Sequence, residues 1–206
     1  MTREAEDPDV VERTVVFFDI CSSSNMLEDL MLSNNQRVMR NLLIAVKNFL
    51  KSEAAEQGFE VHKFIGDGWV LLFPGQTSGE SLITFLDKLC KYFHHQLAKR
   101  VLPQLQGQPR PLGLTFGVDR GQLIRIRMMG RQEYMGRPLN IASRLQGAIK
   151  EKDESPGYKV LFSKPSFQAL KFPTGFRKFK EVERTLRNIQ GGEKYSCVKM
   201  KLKLTA

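Results

Sequence analysis

The hydrophobic pattern of the chain changes repeatedly between runs typical of strands and spacings typical of helices. Nearly continuous apolar runs at 13–20 and 68–74 predict buried strands, and a Gly-Asp-Gly turn joins the second run to a strand at 59–65. Apolar residues recur every three or four positions over 34–56, which predicts a long amphipathic helix between the first strand and the hairpin.

A second predicted helix, at 79–100, and a strand near 112–119 complete the order strand, helix, strand, strand, helix, strand. This order predicts an α+β fold with a ferredoxin-like βαββαβ core whose helices lie on one face of the sheet. Additional C-terminal helices and strands follow: strands at 121–128 and 158–162, helices at 137–150 and from Ser163, and two closing strands, with an edge strand over 199–204.

The 206 residues are most economically a single domain, with a core at about 13–150 and a C-terminal extension of the same domain at 151–206. No apolar run approaches the roughly 20 residues of a membrane span, and the polar N-terminus does not resemble a secretory signal. Three widely spaced cysteines indicate reduced thiols rather than a disulfide framework. We therefore expect a cytoplasmic protein with no membrane span.

The charge balance points to an anionic partner. The chain carries 32 Lys and Arg against 22 Asp and Glu, a formal net charge of +10. Such a balance suits a nucleoside triphosphate, a nucleic acid or an anionic membrane surface. The sequence contains no recognised nucleic-acid-binding motif and no basic stripe interleaved with aromatic residues, so we expect a nucleotide partner and no nucleic acid.

Candidate chemistry begins with two aspartates, Asp19 near the end of the first predicted strand and Asp67 in the Gly-Asp-Gly turn. A lone carboxylate is costly to bury, and two carboxylates can share a cation such as Mg²⁺, which prefers oxygen ligands. Each aspartate can also simply end a strand or stabilise a turn. On the predicted helix, Asn140 and Arg144 share one face, where they can hold a sugar oxygen and a phosphate or remain a solvated surface.

Three segments in order resemble the catalytic domain of the class III nucleotide cyclases, the adenylate and guanylate cyclases. They are Phe-Phe-Asp-Ile at 17–20, Lys-Phe-Ile-Gly-Asp-Gly at 63–68 and Gly-Arg-Pro-Leu-Asn-Ile-Ala-Ser-Arg at 136–144. The chain most resembles the stand-alone bacterial type of this family. The resemblance implies the class III cyclase fold and the conversion of a ribonucleoside triphosphate to a 3′,5′-cyclic nucleotide and pyrophosphate. It implies two Mg²⁺ or Mn²⁺ ions as cofactors. It also implies a homodimer with shared active sites, because one chain holds both residue sets that the family divides between antiparallel protomers.

Position by position, the resemblance assigns the residues that would carry the chemistry. Asp19 and Asp67 match the two metal-binding aspartates of the family, with the backbone carbonyl of Ile20 as a further ligand. Asn140 matches the asparagine that orients the ribose. Arg144 matches the arginine that stabilises the charge developing at the α-phosphate.

The expected substrate-binding residues come from other segments. Lys63 lies where adenylate cyclases carry an adenine-binding lysine, which favours ATP, and Glu133 lies where they typically carry aspartate. Arg187 matches a triphosphate-binding lysine. After Ile20 the family usually has a small residue and then Gly-Phe. This chain instead has a more polar turn that can cradle phosphates through backbone N–H groups, and its serines are Ser22, Ser23 and Ser24.

Three alternatives stay open at this stage. We expect no accompanying sensor or signalling segment, and the domain is then similar to the stand-alone cyclases of bacterial anti-phage systems, some of which make cyclic UMP or cyclic CMP. A catalytically inactive module that binds nucleotide for regulation is a second alternative, although degenerate cyclase domains normally lose a metal aspartate and this chain keeps both. Nucleic-acid binding through the net charge of +10 is the third.

Overall fold

The computed structural model describes residues 9–107, 111–152 and 157–204, except for the side chains of 150–152. Strands and helices alternate along the chain. They are β1 (Asp9–Ile20), α1 (Ser23–Leu32), α2 (Arg37–Gln57), β2 (Glu60–Ile65), β3 (Gly68–Pro74), α3 (Gly79–Gln96), β4 (Leu114–Met128), β5 (Arg131–Met135), α4 (Arg137–Lys152), β6 (Lys159–Ser163), α5 (Lys164–Ala169), β7 (Phe179–Arg184) and β8 (Tyr195–Lys201).

Within the described residues the strands form one sheet in the order β2-β3-β1-β4-β6-β8-β7, and β5 forms a hairpin with β4. The first four strands of this path are antiparallel neighbours in the ferredoxin-like order, whereas β4 and β6 run parallel. The predicted α+β class and βαββαβ core are therefore confirmed. No helix in the described part of the chain combines the length and the apolar character needed to cross a bilayer.

Both faces of the sheet are covered, as the alternation along β1 shows. Val16 and Phe18 belong to the main core, which also holds the buried residues of α2 and α3. Val15 and Phe17 point the other way and pack in a smaller cluster with Ala142 of α4. The helices of the βαββαβ core thus share one face, as expected, and α4 covers the opposite one.

The position of α4 on the sheet depends on Gly117 of β4. A Cβ added there would come within 2.0 Å of the carbonyl oxygen of Ala142, so the helix backbone lies directly against the strand. Only a residue without a side chain permits such an approach. This contact sets the height of α4 above the ends of β1 and β3.

Several predicted boundaries were wrong. The strands expected at 112–119 and 121–128 are one continuous strand, β4, because Gly121 continues the extended backbone instead of turning it. The helix expected over 79–100 ends at Gln96 and continues as a π-helical turn, and neither α1 nor β5 was predicted. The prediction of an edge strand at 199–204 is also wrong. β8 ends at Lys201 and lies between β6 and β7, so its lysine alternation reflects one polar side-chain face rather than an exposed backbone edge.

Candidate active site

Asp19 and Asp67 come from neighbouring strands at the same end of the sheet. The antiparallel register of β1 and β3 pairs Phe17 with Val70, which places Asp19 across from Gly68. Asp67 directly precedes Gly68 in the turn after β2, and its Oδ2 atom is buried. The register therefore brings the two aspartates, which are 48 positions apart in the sequence, to adjacent strands.

Gly68 allows β1 and β3 to approach each other closely beside Asp19. An added Cβ would lie 2.3 Å from the carbonyl oxygen of Phe18 and 3.2 Å from Oδ1 of Asp19. The first distance is impossible for a real carbon atom and the second is tighter than ordinary contact. Asp19 can therefore lie over the strand only because position 68 has no side chain.

A buried amide from α4 also contacts Asp19. Gln146 donates from Nε2 to the hydroxyl of Thr115 at 2.7 Å and to Oδ2 of Asp19 at 3.4 Å. Thr115 is the neighbour of Asp19 on β4, and both Thr115 and Gln146 are buried. Sequence reasoning missed Gln146. A signal was present, because it is a polar residue next to Leu145 on the inward side of a predicted amphipathic helix.

The oxygen atoms at this end of the sheet fit a hard divalent cation. Mg²⁺ is usually bound by one or two carboxylates together with substrate phosphates and water, rather than by a cage of protein ligands. The side chain of Ile20 has no donor atom, so only its backbone carbonyl is a candidate ligand. Among the described residues no three His, Cys, Asp or Glu side chains converge on a point where they could hold a metal ion.

Lys63 and Glu133, the two residues expected to bind the nucleotide base, form an ion pair within one chain. Their Nζ and Oε2 atoms are 2.6 Å apart, although they lie on β2 and β5. An irregularity at His62 shifts the register so that Lys63 pairs with Val70, on the same face as α4. The hydrogen bond from Lys63 lowers the pKa of the Glu133 carboxyl. The pair presents a donor and an acceptor side by side.

Further polar residues surround this pair, and the sequence did not single them out. His62, whose side chain is only 4% exposed, lies 3.4 Å from Glu60 and 3.7 Å from Glu133. Burial lowers the pKa of His62, and the two carboxylates partly oppose that shift. The hydroxyl of Tyr134, the residue after Glu133 on β5, donates to Oε2 of Glu60 on β2 at 2.9 Å. This hydrogen bond is a second link between β2 and β5.

Asn140 and Arg144 lie on the outward face of α4. Both are exposed, whereas Ile141, Leu145 and Gln146 are buried against the sheet. Arg144 and Gln146 are two positions apart, about 200° around the helix axis. Within one chain, the helix therefore contacts Asp19 through its inward side and presents the two predicted catalytic residues away from it.

The remaining predicted residues lie on two loops. Ser22 adopts a left-handed backbone conformation (φ 57°). Its hydroxyl donates to the carbonyl of Pro111 at 2.8 Å and so connects the turn after β1 to the segment before β4. Ser23 and Ser24 begin α1. Arg187 is exposed between β7 and β8, in a loop that Arg137 of α4 contacts through the carbonyl of Gln190 at 3.2 Å.

Comparisons with known proteins bear on this fold. No protein-family model matches the chain, and no curated protein matches it in sequence. Solved structures do match. The adenylyl cyclase CyaB from P. aeruginosa superposes with a TM-score of 0.68 at 19% identity, over 94% of this chain and 95% of that one.

Two further structures are similar over comparable lengths. The guanylyl cyclase Cya2 gives a TM-score of 0.65 at 18% identity, over 93% of this chain and 91% of the other. Adenylate cyclases from Trypanosoma brucei in their monomeric state give 0.64 at 15% identity, over 94% and 93%. The resemblance predicted from the sequence is therefore confirmed at the level of the fold, which is that of the class III adenylyl and guanylyl cyclase catalytic domains.

Proposed function

We propose that this chain is a nucleotidyl cyclase that converts a ribonucleoside triphosphate, with ATP favoured, to its 3′,5′-cyclic nucleotide and pyrophosphate. One observation carries the proposal: the register of β1 and β3 places Asp19 across from Gly68, so that Asp19 and Asp67, in the turn directly before Gly68, lie at the same end of the sheet. The fold shared with adenylyl and guanylyl cyclases supports it. Because the reaction consumes nucleoside triphosphates, we place it in the cytoplasm.

The reaction is an in-line displacement at the α-phosphorus. The ribose 3′-oxygen forms a bond to that phosphorus, the bond to the bridging oxygen breaks, pyrophosphate leaves and the hydroxyl proton passes to solvent. Asn140 would orient the ribose and Arg144 would stabilise charge on the α-phosphate. Asp19, Asp67 and the carbonyl of Ile20 would hold two divalent cations. When bound, these cations would lower the pKa of the 3′-hydroxyl and neutralise phosphate charge.

A homodimer with two shared sites is part of the proposal. Asn140 and Arg144 point outward from α4, whereas Asp19 lies on the inward side of the same helix. Side chains on opposite sides of one helix cannot converge on one nucleotide within a single chain. A second copy related by two-fold symmetry would bring its outward face to the aspartates, and the reciprocal pair would form the second site.

The ion pair between Lys63 and Glu133 supports the choice of base. Adenine presents a ring-nitrogen acceptor beside an amino donor, which complements the ammonium and the carboxylate. Cytosine presents the same pair of groups. The ion pair therefore suits both bases, and ATP is placed first because Lys63 lies where adenylate cyclases carry an adenine-binding lysine. A pyrimidine nucleotide is the second candidate, with cyclic CMP or cyclic UMP in anti-phage signalling.

A product assay tests the proposal. Purified chain with Mn²⁺ is incubated separately with ATP, GTP, CTP and UTP, and the products are identified by mass spectrometry, with Asp19→Asn as the matched control. Cyclic AMP as the main product is expected. A dominant cyclic pyrimidine nucleotide would overturn the choice of base alone. Nucleotide binding with no cyclic product from any substrate would overturn the enzymatic proposal and favour a regulatory module.

A further inference from the structure

A groove lined mainly by apolar side chains lies between α1, α2 and the hairpin of β2 and β3. Its volume is about 460 Å³, and its lining includes Leu27, Leu43, Ile44, Phe64 and Trp69. Leu27, Ile44 and Phe64 are 39%, 41% and 53% exposed. Large apolar side chains that remain this exposed side by side are typical of a surface that another molecule covers. We call this surface the α2 groove.

The α2 groove follows one stripe of its longest helix. The α2 residues that line it recur at helical spacing from Gln36 to Lys47. They therefore share one side of the helix over three turns, a length of about 16 Å. The buried residues Leu42, Val46 and Leu50 form a neighbouring stripe that packs in the main core. α2 thus has a second, partly apolar stripe that its own core does not use.

The α2 groove lies on the face of the sheet opposite α4. The ring of Phe64 is 4.8 Å from that of Trp69, which packs in the main core with α2, whereas Val70 packs on the α4 side. Phe64 directly follows Lys63 and is three positions before Asp67. A partner in the groove would therefore contact the hairpin that carries both, and leave the α4 side free for the second copy that the proposed function requires.

Positive charge borders the α2 groove. Among the described residues that line it, Arg40 and Lys47 are basic and exposed, and none is acidic. Positions 37–52 of the sequence contain four basic residues and no acidic one. A symmetric contact between two copies of the chain, each with a net charge of +10, would bring these like charges together. The charges favour a partner that carries carboxylates.

We propose that the α2 groove binds an amphipathic helix of another protein, whose apolar stripe enters the groove and whose acidic residues lie beside Arg40 and Lys47. A helix laid into an apolar groove is a recurrent mode of recognition, with anchor residues every three or four positions. The length of the groove matches three turns of such a helix. A ridge of side chains fits a concave surface better than the plane of a lipid bilayer does. This binding does not depend on cyclase activity.

The probe for the test is a synthetic helical peptide of about 16 residues, crosslinked between turns because so short a helix is marginal in water. Leucines recur along one side, and glutamates flank them. A second peptide carries lysine in place of each glutamate. Anisotropy of the labelled peptides measures their affinity for the chain. Trp69 is the single tryptophan of the chain and lines the groove, so its fluorescence reports binding at this place.

The first variant removes an apolar contact. Ile44→Gln changes an exposed side chain of the α2 groove, and Leu102→Gln is the matched control at a comparably exposed residue that follows α3. Circular dichroism checks that both fold. We expect Ile44→Gln to bind the glutamate peptide at least about fivefold more weakly than the parent, and Leu102→Gln to bind within about twofold of it.

The second variant reverses the charge of the border. It combines Arg40→Glu with Lys47→Glu, and the matched control combines Arg100→Glu with Lys99→Glu, at exposed positions after α3. Both have the same net charge. The parent and the control should bind the glutamate peptide at least about fivefold more tightly than the lysine peptide, and the border variant should reverse this preference.

Several outcomes would overturn the proposal. They are equal affinity of the parent for the two peptides, equal losses in the border variant and its control, and peptide binding that leaves the fluorescence of Trp69 unchanged. Binding of the parent to phosphatidylserine vesicles but not to the peptide would assign the surface to a membrane instead. Self-association that Ile44→Gln abolishes, without peptide binding, would assign it to a second copy.

Discussion

Gly68 lies across the sheet from Asp19, and a Cβ at position 68 would collide with the carbonyl oxygen of Phe18 at 2.3 Å. The replacement Gly68→Ala should therefore destabilise the chain by about 1–3 kcal/mol and reduce cyclase activity more than stability alone explains. Chemical denaturation and the product assay measure the two effects.

The control for this prediction is Gly147→Ala on α4. An added Cβ there meets no atom within 4 Å, and alanine is the better helix former, so stability should rise by up to about 1 kcal/mol with activity retained. If Gly68→Ala proves as benign as Gly147→Ala, the close approach of β1 and β3 at Asp19 is not required.

The two aspartates can be tested with isosteric changes. Asp19→Asn or Asp67→Asn should lower kcat at least about a hundredfold, because bound cations contribute several kcal/mol of charge stabilisation. EDTA should abolish the activity of the parent chain, and Mn²⁺ should restore it. Circular dichroism checks that each variant folds. Turnover that persists in EDTA, or in both variants, would contradict a metal-dependent reaction.

The proposed sharing of each site between two protomers predicts complementation between inactive chains. Asp67→Asn leaves the outward face of α4 intact, and Arg144→Ala leaves the aspartates intact. When equal amounts are mixed, about half of the dimers are mixed, and each mixed dimer contains one intact site. The mixture should therefore recover about a quarter of the parental activity. No recovery despite demonstrated exchange of chains would argue that each site lies within one protomer.

The proposed contact of Lys63 and Glu133 with the nucleotide base predicts that a change at Lys63 alters the preference among nucleotides. Lys63→Gln should lower kcat/KM for ATP by roughly ten- to a hundredfold relative to the other nucleotides, since the proposed charged contact to the base is lost. Lys88→Gln is the matched control. Lys88 also lies 2.6 Å from a glutamate, Glu53, and has similar exposure, but it is on α3. Equal ratios of ATP to CTP turnover in all three proteins would remove Lys63 from base recognition.

His62 predicts a pH dependence of stability. Burial lowers its pKa below 6.5, so the unfolded chain binds this proton more readily than the folded chain. The free energy of unfolding should therefore fall as the pH decreases from 6.5 through the lower folded-state pKa. Thermal melts between pH 7.5 and 5 of the parent and of His62→Gln compare the two slopes. An unchanged slope in the variant would show that another group is responsible.

The pattern of apolar residues was enough to predict the βαββαβ core, because alternation and helical spacing report which side of an element is buried. It failed where the same residues suit two arrangements. The apolar pattern predicts two strands, at 112–119 and 121–128, where the structure has the single strand β4. The alternating lysines of β8 predict an edge strand, although β8 is hydrogen-bonded to β6 on one side and to β7 on the other. Side-chain alternation describes the two faces of a strand and says nothing about the neighbours along its hydrogen-bonding edges.

From the sequence alone, Asp19 and Asp67 could be recognised as carboxylates at strand ends, and the order of three segments indicated the cyclase fold. Only the tertiary structure decided that Gly68 faces Asp19, that Gln146 reaches Asp19 from α4, and that Lys63 meets Glu133. The physical reason is that periodicity is a local property of one element. The register between strands and the height of a helix above them follow from packing of the whole chain.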